Sequence, residues 1–307
     1  MFTPNETLQL VREGINHAMA QLLSNPAKMA DPLLRFAMMV MSTKLQERYD
    51  LELLSIVFRE WTGARRFRNA GEIDFVIKNK AFEASIACDR DVAEDSDFAA
   101  KLQRLIPIFM EAFESKKADL VAYLLLNGAS LKCYDNQNFF DTDHPIDDPT
   151  ASGSLQNYWS SGMALTRPNI ITVETAMTTR PRAGDSTDIR LVNPRVLLVP
   201  PALRDTADQI VNTTEIVDGS GNRMRNTMYQ RFEVVVSGRL QSQPTAWYLI
   251  DPDYKFVIVQ VRKGCDIVVR NDPRQDNMFH HRQIEVGADG RMGAGYGPWQ
   301  GIAKALA

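Results

Sequence analysis

The sequence is short of cysteine, lacks any long apolar run and has no excess of positive charge, and each of these features excludes a class of protein. Its 307 residues contain three cysteines, Cys88, Cys133 and Cys265, which are far apart and odd in number. That spacing argues against a disulfide framework and against a zinc knuckle, because both need paired cysteines. No stretch approaches the roughly 18 apolar residues of a membrane span, so no membrane partner is expected.

The charge balance gives no support for tight binding to nucleic acid. Lysine and arginine number 35 against 38 aspartates and glutamates, which leaves a formal net charge of −3. Affinity for a phosphate backbone depends instead on concentrated positive charge. The opening residues, MFTPNETLQL, lack the basic and apolar regions of a secretory signal. We therefore expect synthesis in the cytoplasm.

Local patterns in the first half of the chain predict a mixture of helices and strands. A capping pattern at Thr3-Pro4-x-Glu6 starts an amphipathic helix. Alternating apolar residues at 73–88, interrupted by KNKA, predict a β-hairpin. A long helix is expected from about residue 94 to the stop signal Asn127-Gly128, with Pro107 either kinking it or starting a second helix.

The second half of the chain is richer in strands. Its patterns predict a helix from Thr166, a buried strand at Val196–Val199, a helix through Ile210 and a strand at Phe232–Val236. Further strands are expected between Ala246 and the C-terminal region. Because the strands and helices do not alternate as βαβ units, the predicted class is α+β.

One stretch, CYDNQNFFDTDHP at 133–145, concentrates polar side chains and raises the question of a metal or acid–base site. Asp141, Asp143 and His144 are ligand types that hold a divalent ion, so a metal-dependent hydrolase is one hypothesis. Asp135 lies in the same stretch. The other interpretation is a turn, in which Asp and Asn side chains bond nearby backbone amides and Pro145 fixes the exit.

The rest of the sequence supplies no partners for such a site. His280 and His281 are adjacent in an expected strand and point to opposite faces. The glycines of 219–221 and 293–297 do not lie between a strand and a helix start, as phosphate loops do. There is no G-x-S-x-G nucleophile elbow. We therefore expect no enzyme and assign no catalytic residue, no cofactor and no metal.

The same residues resemble a known family. CYDNQNFFDTDHP is similar to a stretch in the major head subunits of Mu-like phages and prophages, the gpT family. REWTGARRFR, KAFEASIACDRDVAEDSD and PIFMEAFESKKADLVAYLLLNG resemble neighbouring segments of that family. NPRVLLVPPALRDTADQIVN and WYLIDPDYKFVIVQVRKGCDIVV resemble blocks of tailed-phage capsid subunits. Together these blocks cover most of the chain from about residue 56 onward.

The resemblance implies an HK97-like major capsid protein fold of class α+β, with an N-terminal arm, an E-loop hairpin, a P-domain with a long spine helix, and an A-domain. Carried over by position, the expected segments are the N-terminal arm at 1–55, the E-loop at 56–92, the P-domain at 93–150, the A-domain at 151–240 and a return to the P-domain at 241–307.

The implied function is that of a major capsid protein that self-assembles through pentamers and hexamers into the icosahedral shell of a tailed bacteriophage. The implied location is the virion, with assembly in the host bacterial cytoplasm. The implied partners are other copies of the chain, packaged double-stranded DNA bound without sequence specificity, and scaffold or protease, portal and decoration proteins. The alternatives are an encapsulin-like nanocompartment subunit and, more distantly, the hydrolase.

A basic segment is the candidate for contacts between subunits. Trp61, Arg65, Arg66 and Arg68 precede the expected hairpin. Clustered arginines commonly form a solvated face, and the alternative is an arm that pairs with carboxylates of an adjacent subunit. The second interpretation predicts that reversing these charges blocks shell assembly.

Overall fold

The secondary structure confirms the α+β class. The computed structural model describes residues 31–49, 75–89, 98–145, 153–180, 191–217, 221–270 and 282–307. The α-helices are α1 (Phe98–Asn127), α2 (Arg167–Thr178) and α3 (Arg204–Asn212). The strands are β1 (Ala37–Met41), β2 (Gln46–Tyr49), β3 (Phe75–Lys78), β4 (Lys80–Asp89), β5 (His144–Pro145), β6 (Ser154–Leu155), β7 (Tyr158–Trp159), β8 (Val196–Val199), β9 (Glu215–Val217), β10 (Arg223–Arg225), β11 (Glu233–Val236), β12 (Ala246–Ile250), β13 (Val257–Arg270), β14 (Gln283–Tyr296) and β15 (Ile302–Leu306).

The long helix α1 confirms the expected spine. It has 30 residues and continues through Pro107 without starting a second helix. It ends at Asn127, whose side-chain amide donates to the carbonyl oxygen of Tyr123 at 2.8 Å. Within the described ranges, no helix combines the length and apolarity that a membrane crossing requires.

The three longest of the described strands, β4, β13 and β14, form a four-stranded sheet with β1, in the order β1-β13-β14-β4. β1 runs parallel to β13, and the other pairs are antiparallel. One face of the sheet packs on the first half of α1, where Ile267, Val286 and Ala288 meet Ile106 and Phe109. Because side chains alternate along a strand, the opposite face carries the intervening polar residues.

The expected hairpin at 73–88 is wrong in its pairing. Both strands form on either side of Asn79, but β3 pairs with β2 and β4 pairs with β14. The buried Asn79 amide donates to Ser42 Oγ and to the carbonyl oxygen of Lys44, both at 2.9 Å. These bonds hold the point at which β3 and β4 separate toward different partner strands. Alternation identifies a strand but does not identify its partner, and here the partners are distant in sequence.

Close packing against β3 explains the glycines of the GAGYG sequence at the end of β14. A Cβ at Gly295 would lie 2.5 Å from Ile77 Cγ1, and one at Gly293 would lie 2.7 Å from the carbonyl oxygen of Lys78. Glycine therefore lets β3 lie directly against β14. The segment is part of a strand and does not start a helix.

A second, five-stranded sheet has the order β11-β8-β12-β15-β7. It packs against α2 and α3 through a core that includes Leu197, Trp247, Leu249 and Ala303. The strands expected at Val196–Val199 and Phe232–Val236, and the helices expected from Thr166 and through Ile210, are confirmed as β8, β11, α2 and α3. The sheet combines strands from both sides of the boundary expected at residue 240, since β12 and β15 follow it.

The main core joins the two sheets to the second half of α1. Its members include Phe36 of a 3₁₀ helix at Pro32–Phe36, Leu125 of α1, and residues of both sheets such as Tyr248 and Val259. All four side chains are essentially fully buried. This shared core fixes the loop that follows α1.

Candidate functional site

The stretch at 133–145 forms a compact loop directly after α1. Cys133 N donates to the carbonyl oxygen of Gln137 at 2.8 Å, and Lys132 forms a β-bridge with Asn138. Asn136 turns the chain with a φ of 65°, a conformation that asparagine adopts more readily than most residues. The local structure is therefore the turn that the Asp and Asn content predicts.

Two phenylalanines anchor this loop. Phe139 and Phe140 have 0% and 1% of their surface exposed. The ring of Phe139 stacks on Tyr296, with centroids 4.2 Å apart and planes 10° apart. Phe140 packs edge-on against Phe139 at 4.9 Å and lies 5.9 Å from Tyr248. These contacts tie the loop to both sheets at once.

Asp135 connects a cysteine and a histidine beneath the loop. Cys133 Sγ donates to Asp135 Oδ1 at 2.8 Å, and His144 Nδ1 lies 2.7 Å from Asp135 Oδ2. The His144 side chain is completely buried and that of Asp135 is 9% exposed. The carboxylate thus holds together residues that are eleven positions apart in sequence.

Asn157 completes this network from the other side of the histidine. Its Oδ1 accepts from Asp141 N at 2.9 Å, and its Nδ2 donates to the carbonyl oxygen of Phe139 at 2.8 Å. The same Oδ1 lies 3.2 Å from His144 Nε2. A buried amide with all of these partners fixes the loop in one arrangement, since an unpaired polar group there would cost about 1–3 kcal/mol.

An aromatic face covers the histidine. The ring of His144 stacks on the indole of Trp299 with centroids 3.9 Å apart and planes 11° apart. The Arg180 guanidinium lies 5.3 Å from the centroid of the same indole. Arg180 also donates to the carbonyl oxygens of Gln300 and Gln156. The loop is therefore enclosed by residues from three distant parts of the chain.

The electrostatics of the network are those of a structural element. Burial, followed by the nearby Asp135 charge, raises the pKa of the Cys133 thiol far above its usual value, so the thiol stays protonated. Burial alone would raise the pKa of Asp135, but hydrogen bonds from His144 and Cys133 outweigh it and lower that pKa. A protonated thiol is a poor nucleophile and a poor metal ligand.

The structure does not bring the proposed hydrolase residues together. Asp141 uses its carboxylate to accept from the backbone amides of Asn138 at 3.2 Å and Thr142 at 2.7 Å. Asp143 is exposed. Among the residues that the structure describes, the potential ligand atoms that converge within 4.8 Å of one another belong to Cys133, Asp135 and His144. These atoms already bond to one another, which fits a hydrogen-bonded network better than an ion site.

A buried lysine closes the core beside the loop. Lys304 of β15 is 1% exposed, and its Nζ lies 3.3 Å from the carbonyl oxygen of Leu125 near the end of α1. It also lies 5.2 Å from the ring centroid of Phe140 and 5.5 Å from that of Tyr248. Burial lowers the pKa of Lys304 to about 8. No pattern in the sequence indicates that this lysine is buried, because a single lysine in a strand is usually exposed.

The outer face of the four-stranded sheet is the second surface of interest. Glu83 of β4 is exposed, and Glu285 and Asp289 of β14 are partly exposed. Odd-numbered residues of β14 project to this face, while the even-numbered Val286 and Ala288 are buried against α1. The alternation of apolar and other residues in QIEVGADGR is the sequence signal for this surface. Because β4 was expected to pair with β3 in a hairpin, the surface that β4 shares with β14 was not expected.

The predicted contact residues Trp61, Arg65, Arg66 and Arg68 lie outside the described residues, as do His280 and His281. The expected N-terminal helix also falls there. The three cysteines are all free thiols, as their spacing suggested.

The sequence of this chain is similar to those of phage head subunits. The model of the family described as Mu-like prophage major head subunit gpT matches residues 8–162, 153–240 and 231–306. The major capsid protein of Escherichia phage Mu is 25% identical over 271 residues, which cover 87% of this chain and 63% of that protein. The major head subunit of prophage FluMu of Haemophilus influenzae is 32% identical over 113 residues, or 36% of each chain. This chain thus spans less than two thirds of the length of both curated relatives.

A solved structure gives the fold itself. A subunit of the procapsid of bacteriophage JBD30 matches with a TM-score of 0.54 at 20% identity, covering 100% of this chain and 76% of that one. The fold is therefore the HK97-like capsid fold that the resemblance implied. Since the family model matches nearly the whole chain, the protein belongs to the Mu-like prophage major head subunit gpT family.

Proposed function

We propose that this protein is the major capsid subunit of a tailed bacteriophage, which self-assembles into the icosahedral shell around the genome. The observation that carries the proposal is the match to a head-subunit family along almost the entire chain. The HK97-like arrangement of the long helix and the two sheets supports it. The function is mechanical, and the buried network at 133–145 serves to hold the fold.

Exposed apolar edges suit such an assembly. The edge strand β1 and the turn after it expose Met38, Met39, Met41 and Leu45 by between 39% and 77%. Clustered apolar side chains of this kind usually become buried on a neighbouring molecule. In this proposal, the edge of the four-stranded sheet contacts an adjacent subunit.

Strand pairing supports the following boundaries for the proposed domains. The β2–β3 ladder joins the two ends of residues 50–74, so we place the E-loop between these strands instead of at 56–92. The α1 helix and the four-stranded sheet make the P-domain. The five-stranded sheet with α2 and α3 makes the A-domain, to which β12 and β15 return.

The remaining expectations follow from the proposed role. Copies of the chain are the main partner, with packaged DNA held without sequence specificity inside the shell. A net charge of −3 is compatible with this, because strong attraction to DNA would oppose its movement during packaging and release. Scaffold or protease, portal and decoration proteins would complete the particle, which assembles in the host cytoplasm.

Negative-stain electron microscopy of the purified full chain tests the proposal. Icosahedral shells, or pentameric and hexameric capsomers, are the expected result. A uniform monomer under every assembly condition would overturn it. Nuclease-protected DNA in particles from infected or induced cells is expected, whereas an enclosed protein cargo would indicate a nanocompartment instead.

A further inference from the structure

The last turn of α1 is fastened to the five-stranded sheet by polar side chains. Lys304 Nζ lies 3.3 Å from the carbonyl oxygen of Leu125 and 3.5 Å from that of Leu126. The Tyr248 hydroxyl donates to the first of these carbonyls at 3.4 Å, and Gln243 Nε2 donates to the second at 3.1 Å. Carbonyls in the last turn of a helix lack partners within it and carry partial negative charge. One end of the helix is thus fixed on the sheet.

Arg239 makes a second contact with α1, nearer the middle of the helix. It belongs to the 3₁₀ helix Gly238–Leu240, which follows the edge strand β11 of the five-stranded sheet. Its Nη1 donates to Asp119 Oδ1, and its Nη2 donates to Ser115 Oγ at 2.9 Å. Asp119 precedes Leu126 by about 10 Å along the helix, at 1.5 Å per residue. Two separated contacts fix the direction of a rod, whereas a contact at one end alone leaves it free to turn.

The same guanidinium also binds the segment that leads into the four-stranded sheet. Arg239 Nε donates to Asp31 Oδ2 at 2.7 Å. The other oxygen of Asp31 accepts from the amide of Leu33 at 3.0 Å, and so caps the 3₁₀ helix Pro32–Phe36. The chain then continues directly as β1, which pairs with β13. One side chain therefore connects the five-stranded sheet, the helix α1 and the entry to the other sheet.

The chemistry of these groups suits a contact that fixes geometry. The side chains of Arg239 and Asp31 are 27% and 21% exposed, and that of Asp119 is 46% exposed. Hydrogen bonds between charged groups are stronger and shorter than those between neutral groups, and partial burial protects them from screening by salt. A guanidinium is planar and holds its donors in a rigid fork. Because all three of its nitrogens are used, its acceptors are held at set positions relative to β11.

We propose that Arg239 is a positioning residue that sets the angle between α1 and the five-stranded sheet, by binding Ser115, Asp119 and Asp31 at once. Without it, the helix turns about the end that is fixed at Leu125. This inference goes beyond the proposed function, since it concerns the shape of a single subunit and holds whether or not the chain builds a shell.

Pulsed electron–electron spin resonance on unassembled subunits measures the angle. Nitroxide labels are placed at two exposed positions, Glu111→Cys of α1 and Asp205→Cys of α3. The partly exposed native cysteines are replaced as Cys88→Ser and Cys265→Ser. Position 111 lies far from the fixed end of α1, so turning of the helix displaces its label. The native chain is expected to give one narrow distance distribution, and Arg239→Gln is expected to give a broader one with a shifted maximum.

Exchange of the charged partners separates positioning from a general effect on stability. Arg239→Asp/Asp119→Arg again places one guanidinium between two carboxylates, so it is expected to return the distribution toward the native one, which neither substitution does alone. Arg239→Lys keeps the charge without the planar fork and is expected to restore only part of it. Arg195→Gln is the matched control, because it removes an ion pair with Asp253, at 2.5 Å, beside the same sheet but away from α1.

Circular dichroism checks that each variant is folded, and urea denaturation measures its free energy of unfolding. A folded Arg239→Gln chain with the native distance distribution would overturn the proposal, even if its free energy of unfolding were lower. An equal change of the distribution in Arg195→Gln would overturn it as well. Neither result bears on whether the unaltered chain forms shells, so the proposed function is tested separately.

Discussion

Asp135 Oδ2 lies 2.7 Å from Nδ1 of His144 beneath the loop that follows α1. The other oxygen of the same carboxylate accepts from Cys133 Sγ. One buried side chain thus joins the beginning of the loop to its end, and the arrangement of the loop depends on it.

Asp135→Asn is expected to lower the free energy of unfolding by about 3 kcal/mol at pH 7, because it breaks a buried, hydrogen-bonded pair. The pKa of Asp135 is lowered in the folded state, so its contribution is complete above the unfolded pKa, about 3.9. It is lost as pH falls through the folded pKa. Urea denaturation of unassembled subunits at several pH values should therefore show the variant and the native chain converging in acid. Asp143→Asn, in the exposed part of the loop, is the control and should have little effect.

Gly128→Ala is expected to destabilise the end of α1. A Cβ there would lie 2.5 Å from Phe140 Cδ2, and Phe140 is locked in the core. Overpacking of this kind costs about 1–3 kcal/mol. Gly264→Ala, where the added Cβ meets nothing within 4 Å, should be nearly neutral in the same thermal melts. Phe140→Leu in the Gly128→Ala background should recover part of the loss, and equal effects at both glycines would contradict the packing argument.

Lys304→Met is expected to change how stability depends on alkaline pH. The folded pKa of about 8 lies below the usual 10.5, so the unfolded chain binds more protons between these values. In that window the native chain gains stability relative to the methionine variant as pH rises, by up to about 1.4 kcal/mol per unit. Denaturation of both proteins at pH 7, 8, 9 and 10 measures this difference. Lys80→Met, at an exposed strand end, is the matched control for removal of a lysine.

Chelators are expected to leave assembly and thermal stability unchanged. The potential ligands Cys133, Asp135 and His144 form hydrogen bonds to one another, and burial keeps the thiol protonated. The melting temperature with and without EDTA is the measurement. A large decrease with EDTA, reversed by adding zinc, would contradict this interpretation of the cluster.

Local signals in the sequence predicted the elements well. The Asn127-Gly128 stop, the Thr166 start and the Val196–Val199 strand each depend on neighbouring residues, and each is in the structure as expected.

Pairings between distant residues could not be predicted in this way. β3 looked like the partner of β4 because they are adjacent in sequence, yet Asn79 separates them and each pairs elsewhere. Asn157 completes the loop network from 13 residues beyond His144 and follows no pattern in the sequence. A stretch of sequence specifies which face of a strand is apolar, but the contact that covers that face depends on the whole fold.

The position of β15 has a consequence for the order of synthesis and folding. This strand lies between β12 and β7 inside the five-stranded sheet, so the sheet stays divided until the ribosome has made the chain through residue 306. Contacts this distant in sequence form late and slowly. A nascent or prematurely ended chain would therefore lack the finished five-stranded sheet. Under the proposed function, such a chain could not enter a shell until translation has passed this strand.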